Sequence, residues 1–152
     1  MLRLLSAALN TFTLLAGKAR AVQAFDEGFA YYDQQQYVKA YPLMLESAEA
    51  GFPRAMSILG SMYVMGYGVK EDGKQAAEWL KKAVESGDRD AASVLGMVYV
   101  TGKGGAPRRI NEGISLLENA AAGGDEKASQ MLMAIRNREG MFRNLRYHSS
   151  RI

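Results

Sequence analysis

The chain has 152 residues, a formal net charge of +3, no cysteine and one histidine. This composition fits a folded domain of ordinary size and excludes disulfide bonds, thiol chemistry and the common zinc sites. The charge excess lies in the first 24 residues, where Arg3, Lys18 and Arg20 have no acidic counterpart, because the rest of the chain holds 16 basic and 16 acidic residues.

Residues 1–24 form a leader with a basic start and an apolar centre. Arg3 precedes a mainly apolar stretch, and Val22-Gln23-Ala24 offers a small-residue cleavage site before Phe25. The pattern predicts a bacterial signal peptide and a periplasmic or secreted protein. The alternative is an amphipathic helix or an organellar presequence, since acidic residues are absent and several leader residues have helical spacing. These residues are Leu2, Leu5, Leu9 and Phe12. A cytoplasmic location is the alternative to export.

A period of about 36 residues governs the chain between residues 51 and 128. Glycine opens each unit, and a set of small, apolar and aromatic residues recurs after it. The recurring residues are Gly51, Gly87 and Gly123, then Ala55, Leu59, Gly60, Tyr63, Gly66 and Gly68, repeated as Ala91, Leu95, Gly96, Tyr99, Gly102 and Gly104. Such a pattern is typical of stacked helix pairs.

Helix starts and stops follow from capping residues and glycines. The Gly66-Tyr67-Gly68 and Gly102–Gly105 stretches end one helix of a pair, and Asp72, Asp88 and Asp125 are predicted N-caps. The predicted helices, in chain order, cover residues 25–35 and 37–50, 54–66 and 73–86, 89–101 and 110–122, and 126–138. No strand pattern is present, so we expect about seven to nine helices and an all-α fold.

Spacing also predicts the core. Leu59 and Tyr63 lie on one helical face, and so do Leu95 and Tyr99, so that each pair packs as a stripe. A glycine follows each leucine, at residues 60 and 96, and costs about 1 kcal/mol in helix propensity. We therefore expect a neighbouring helix to approach closely at these glycines.

The recurring residues resemble the Sel-one-like repeat family, which is related to the tetratricopeptide repeats. The resemblance rests on the run Ala55–Val69, followed by Asp72, Ala76, Trp79, Leu80, Ala83 and Gly87. A second copy begins at Ala91, has Arg109 in place of Asp72 and contains one inserted residue. Its later matching residues are Gly113, Leu116, Leu117 and Ala120.

Two weaker copies flank the central pair. The upstream copy contains Gly28, Tyr31, Ala40, Leu43 and Gly51, with a shorter turn between its helices, and the downstream copy begins with Ala128 and Leu132. The resemblance implies an α/α solenoid of stacked antiparallel helix pairs, with about 3.5 repeats over residues 25–139. A basic extension, residues 140–152, follows.

No residue pattern in the sequence predicts catalysis or a cofactor. His148 stands in the tail, which suits a solvated side chain better than a catalytic triad. The Gly102–Gly105 stretch lacks the preceding strand of a phosphate-binding loop. Acidic pairs near Asp72 and Asp88 are explained as helix caps. We therefore predict no enzyme activity, no cofactor, no metal and no small-molecule substrate.

The arginines near the C-terminus allow two interpretations. The residues in question are Arg136, Arg138, Arg143, Arg146 and Arg151. They suit contact with phosphates, or they make the end of the solenoid soluble and favour a helix C-terminus. The second interpretation fits the neutral charge of the chain without its leader, so no nucleic acid partner is expected.

The resemblance also implies where a partner binds. In tetratricopeptide-like solenoids the first helix of each pair lines a concave groove. Transferred by position, the candidate groove residues are Phe29, Tyr32, Arg54, Ser57, Ser61, Val64, Asp90, Ser93, Met97 and Val100, with Lys127 and Gln130 beyond. They mix small, apolar and polar groups, as a peptide-binding groove does.

Three functions remain open from the sequence. The first is a non-catalytic interaction module that binds a protein or peptide. The second is an inhibitor or immunity-type regulator that occludes an enzyme or toxin, a role that the family resemblance also implies. The third is an enzyme of cell-envelope metabolism, for which the sequence offers no catalytic cluster.

Overall fold

The structure, a computed structural model, describes the backbone of residues 2–149 and the side chains of residues 9–138. Over that part of the chain there are seven α-helices and no strand, which confirms the all-α prediction. The helices are α1 (Leu2–Asp33), α2 (Tyr37–Glu49), α3 (Pro53–Met65), α4 (Gly73–Glu85), α5 (Asp90–Thr101), α6 (Ile110–Ala122) and α7 (Glu126–Ser149), with a 3₁₀ turn at Lys103–Gly105.

Consecutive helices pack in pairs, as the repeat pattern predicts. The pairs are α1 with α2, α3 with α4, and α5 with α6, and each second helix also contacts the first helix of the next pair. Helix α7 packs on α6 and contacts α5. The connections are short, so neighbouring helices run antiparallel. The pairs therefore stack into an α/α solenoid whose first helices are α1, α3, α5 and α7.

The core repeats with the sequence. Ala55, Ala91 and Ala128 are all fully buried, and the leucines four residues later are at most 8% exposed. On the second helices, Leu80 and Leu117 occupy equivalent buried positions. Each repeat therefore buries the same small and large side chains against its neighbours, which is how a solenoid builds a continuous core.

The helix-face glycines are the sites of closest helix approach. A Cβ atom at Gly60 would lie 2.6 Å from Leu80 Cγ, and one at Gly96 would lie 2.8 Å from Leu117 Cγ. Tyr99 is buried beside this contact at 3% exposure, whereas Tyr63 is half-buried. The predicted close packing is confirmed at both glycines.

A second glycine contact joins successive pairs. Gly68, in the connection between α3 and α4, has φ +69° and rests on the start of α2, where a Cβ would overlap the carbonyl oxygen of Tyr37. Gly104, one repeat later, has φ +64° and rests on the start of α4, where a Cβ would lie 2.7 Å from Gly73 N. The same turn therefore fastens each pair to the one before it.

The predicted caps are present. The Asp72 carboxylate accepts hydrogen bonds from the backbone N–H groups of Lys74 (2.9 Å) and Gln75 (3.1 Å). Asp88 accepts from Ala91 N and Asp125 from Ala128 N, each at 3.0 Å. Helix α6 differs from α4, α5 and α7, because Arg109 occupies the position of the capping aspartate and its side chain makes no cap hydrogen bond.

Two predicted boundaries are wrong. Helix α1 begins at Leu2 rather than near residue 25, and α7 continues to Ser149 rather than ending near residue 138. Ala21 and Ala24 are buried, and Arg20 forms a bidentate ion pair with Glu46 of α2, with N–O distances of 2.7 and 3.1 Å. The end of the leader is therefore part of α1 and packs against α2.

Candidate binding groove

The first helices enclose a cleft of about 510 Å³ on one side of the solenoid. Side chains from α1, α3 and α5 form most of its wall and floor, and the start of α7 closes one end. The lining residues are Phe29, Tyr32, Arg54, Ser57, Ile58, Ser61, Asp90, Ser93, Val94, Asp125, Glu126 and Lys127. The cleft therefore crosses successive repeats, as the concave face of a solenoid does.

An aromatic wall borders the cleft on α1. Phe29 is 42% exposed and stacks on Phe25 with ring centroids 5.8 Å apart. Tyr32 meets Tyr37 edge to face at 5.3 Å, and Tyr37 in turn stacks on Tyr67 at 4.2 Å. Burial raises the pKa of Tyr32 above its ordinary value. Because neighbouring rings hold these side chains, the wall is preorganised for contact.

Serines make the floor of the cleft. Ser57 and Ser93 are buried, and Ser61 is half-buried. The Ser61 hydroxyl donates to the backbone oxygen of Ser57 at 3.0 Å, and the Ser93 hydroxyl donates to that of Asp90 at 3.1 Å. These small side chains give the cleft its depth. With their protons engaged by backbone carbonyls, Ser61 and Ser93 are not arranged as activated nucleophiles.

Charges of both signs line the rim. Arg54 of α3 forms an ion pair with Asp90 of α5, one repeat later, and their side chains are 49% and 65% exposed. The pKa of the Asp125 carboxyl is lowered, chiefly because the backbone N–H of Ala128 donates a hydrogen bond to it. Both carboxylates therefore already have partners within the protein.

A smaller cavity of about 220 Å³ adjoins the cleft between α5 and α7. It shares Ser93, Val94 and Lys127 with the cleft. Its remaining lining is apolar and consists of Met97, Leu117, Ala128 and Met131. The groove thus continues past the cleft into an apolar recess.

Seven of the ten predicted groove residues line the cleft, and Met97 lines the adjoining recess. Val64 does not reach the groove, because it is 2% exposed in the core, and Val100 packs beside Leu117, away from the cleft. Both valines lie outside the cleft because buried side chains of the two core clusters cover the last turn of each first helix. A role in partner binding stays a prediction for the other eight.

Four lining residues were absent from the predicted set: Ile58, Val94, Asp125 and Glu126. Ile58 and Val94 are repeat-equivalent and directly follow Ser57 and Ser93, so the repeat register contains the signal that would have found them. Asp125 was predicted only as a cap. Its position beside Lys127 also places it at the end of the groove.

The described side chains form no group of three or more potential metal ligands. Over the described part of the chain, no helix is long and apolar enough to cross a membrane. His148, Arg143, Arg146 and Arg151, which the sequence singled out in the tail, lie outside the residues whose side chains the structure describes.

Comparison with known proteins agrees with this architecture. The family model described as Sel1 repeat matches residues 53–88 and 89–125. A Sel1 repeat protein from Oxalobacter formigenes is 32% identical, with a TM-score of 0.58, over 64% of this chain and 28% of that one. A protective antigen present in uropathogenic Escherichia coli strains, displaying an SLR fold, is 25% identical, with a TM-score of 0.69, over 78% of this chain and 26% of that one.

Cysteine rich protein B of Helicobacter pylori has the same fold at 23% identity, with a TM-score of 0.55, over 79% of this chain and 95% of that one. The chain spans under a third of the length of the first two structures. No curated protein matches it. Helices α3–α6, with the turns that join them, are therefore two Sel1 repeats within an all-α solenoid, as the sequence predicts.

Proposed function

We propose that the chain is a non-catalytic interaction module that binds a protein or peptide segment in the groove. The observation that carries this proposal is the cleft itself, which crosses α1, α3 and α5 and combines an aromatic wall with a floor of small side chains. Exposed aromatic side chains over a concave surface are the usual anchors of a protein interface.

The proposal includes the absence of covalent chemistry. The carboxylates of Asp90 and Asp125 in the cleft are engaged by an arginine and by a helix N-terminus, respectively. The Ser61 and Ser93 hydroxyls donate to the backbone, so the cleft offers neither an activated nucleophile nor a free acid–base pair at these positions. Binding is the function that this geometry supports best.

A groove variant tests the proposal. Arg54→Glu combined with Tyr32→Ala and Met97→Ala reverses a charge on α3 and truncates one anchor each on α1 and α5. The matched control combines Lys81→Glu with Val38→Ala, a charge reversal and an apolar truncation at exposed positions of the second helices. The wild-type chain, the groove variant and the control are each used for affinity capture from a cell-envelope extract, with mass spectrometry as the readout.

We expect the wild-type chain and the control to recover the same partner and the groove variant to lose it, with similar circular dichroism spectra for all three. If the groove variant still captured that partner, the interface would have to lie on another face of the solenoid. The recovered set also separates the two classes of binding function. One enzyme in a stoichiometric complex identifies an inhibitor, whereas several components identify a scaffold.

We also propose that the chain is exported and that residues 1–24 act as a signal peptide. The basic start, the apolar centre and the small residues before Phe25 support this proposal. The partner would then be a protein of the periplasm or cell surface.

A further inference from the structure

The interval between α5 and α7, which holds the recess, differs in charge from the preceding interval of the groove, between α3 and α5. Asp90 begins α5, and Lys127 stands at the same repeat position in α7. The Asp90 carboxylate is paired with Arg54. Lys127 is exposed and forms no ion pair with any side chain that the structure describes. Lys127 is therefore the available basic group where the cleft meets the recess.

The recess also differs from the preceding interval in its side chains. Met97 stands where the earlier repeat has Ser61, and Met131 stands where it has Val94. With Leu117 between them, these side chains give a cavity of about 220 Å³, large enough for one leucine, methionine or phenylalanine side chain. Methionine is flexible and adapts to different apolar shapes.

We infer that the partner segment is an extended peptide in which one large apolar residue enters the recess and an adjacent acidic residue pairs with Lys127. This inference rests on the proposed function, because it names the chemistry of the segment that the groove holds. Lys127 borders both cavities, so a carboxylate at their junction reaches its ammonium group while the neighbouring side chain enters the recess. Glu126 borders only the cleft and leaves the recess free of acidic side chains.

The length of the segment follows from the spacing of helices. Packed helices lie about 8–10 Å apart, so a segment that crosses four first helices spans about 30 Å. An extended chain covers about 3.3 Å per residue, which gives about nine residues. A displayed library of random nonapeptides is therefore the appropriate probe.

The library is selected on the full chain, on Lys127→Glu and on the control Lys81→Glu. Lys127 and Lys81 are both exposed, so both variants should fold. We expect the wild-type chain and the control to enrich a large apolar residue beside an acidic one. Lys127→Glu should enrich a basic residue at that position and bind the wild-type peptides about tenfold more weakly in fluorescence anisotropy, the effect of one lost and one opposed charge.

A second variant tests whether the recess selects a large apolar residue of the peptide. Met97→Gln combined with Met131→Gln makes the half-buried walls of the recess polar and should abolish the preference for the large apolar residue. Peptides that bind in the groove but keep the same charge preference on Lys127→Glu would overturn this inference and leave the proposed function intact. If the selected peptides bind the groove variant with the same affinity as the wild-type chain, or if no peptide is enriched, both this inference and the proposed function are contradicted.

Discussion

A single buried hydroxyl interrupts the regular core. Ser47 of α2 is fully buried, and its Oγ atom has no hydrogen-bond partner among the residues that the structure describes. The equivalent positions in α4 and α6 are alanines, Ala83 and Ala120. An unpaired hydroxyl in the core costs free energy because it loses its bonds to water.

Ser47→Ala should therefore stabilise the protein by about 1 kcal/mol, because the alanine removes the unpaired oxygen and restores the residue of the other repeats. The urea midpoint of the purified chain measures this change. Ser115→Ala, at an exposed position of α6, is the control and should change the stability by less than about 0.5 kcal/mol. A lower midpoint for Ser47→Ala would mean that the hydroxyl is bonded in solution.

Two tyrosine hydroxyls join the first pair to the second. Tyr41 Oη of α2 and Tyr63 Oη of α3 lie 2.8 Å apart, and their rings meet edge to face at 6.0 Å. Burial, assisted by this hydrogen bond, raises the pKa of Tyr63 to about 12. Ionisation of Tyr63 is therefore harder in the folded chain than in the unfolded chain.

Stability should consequently fall in alkaline solution. The unfolded pKa of tyrosine is about 10, so the contribution of Tyr63 is complete below that pH and is lost as the pH rises from about 10 towards the folded value. Urea midpoints measured at pH 8, 10 and 11 should show this loss, and Tyr63→Phe should reduce its steepness. An equally steep loss in Tyr63→Phe would assign the effect to other groups, among them Tyr32 and Tyr99, whose pKa values are also raised.

At the scale of the elements, the turn between α5 and α6 packs closely against a glycine of another helix. Gly73, at the start of α4, lies beneath that turn, and a Cβ there would overlap the carbonyl oxygen of Lys103 and lie 2.6 Å from Ala106 N. Gly73 does not have a positive φ, so backbone strain plays no part in the effect of a side chain there. A substitution at Gly73 therefore tests only the steric fit between successive repeats.

Gly73→Ala should destabilise the chain by about 1–3 kcal/mol, since backbone rather than a flexible side chain must move. Gly17→Ala in α1 is the matched control, because Gly17 is also helical, and an added Cβ there meets no atom within 4 Å. The control should keep or slightly raise the melting temperature of the full-length chain. Equal melting temperatures for the two variants would show that the turn adapts at no cost.

The features that could be predicted from the sequence are those that depend on residues within one repeat. The Asp72 cap and the Gly60 contact depend on residues within one repeat, so the period predicts both. The start of α1 lies outside the repeats, so their period does not predict it, and the period also carries no signal for the ion pair of Arg20 with Glu46. In the groove, position alone was enough for Ser57 and Ser93. It was not enough for Val64, because packing against the core cluster decides its burial.

At the scale of the whole molecule, the leader and the first repeat share one helix. Ala24 is fully buried inside α1, so the bond that follows it is not exposed to a protease in the folded chain. If residues 1–24 are a signal peptide, cleavage has to precede the packing of α1 on α2. The mature protein would then lose the ion pair between Arg20 and Glu46 and keep the aromatic wall of the groove.

Mass spectrometry of protein from its native host should therefore find an N-terminus at Phe25, as the small-residue boundary predicts. The refolded full-length chain should resist signal peptidase, whereas the unfolded chain should be cut. The control is Ala24→Arg, which removes the small residue before the boundary and should block processing. An intact Met1 in protein recovered from the cytoplasm would contradict the export proposal.

The glycine turns that rest on the preceding pair have a consequence for how such a chain can lengthen. Gly68 and Gly104 both meet the backbone at the start of the preceding second helix, at Tyr37 and Gly73 respectively, so the second and third pairs are joined to the pair before them at equivalent positions. A tandem duplication of residues 53–88 would insert a unit whose glycine turn meets an equivalent helix start in the preceding pair. The groove would then grow by one helix width, about 10 Å, with one new contact between α4 of the first copy and α3 of the second. Gene duplication would therefore change the length of the segment that the proposed groove can accept.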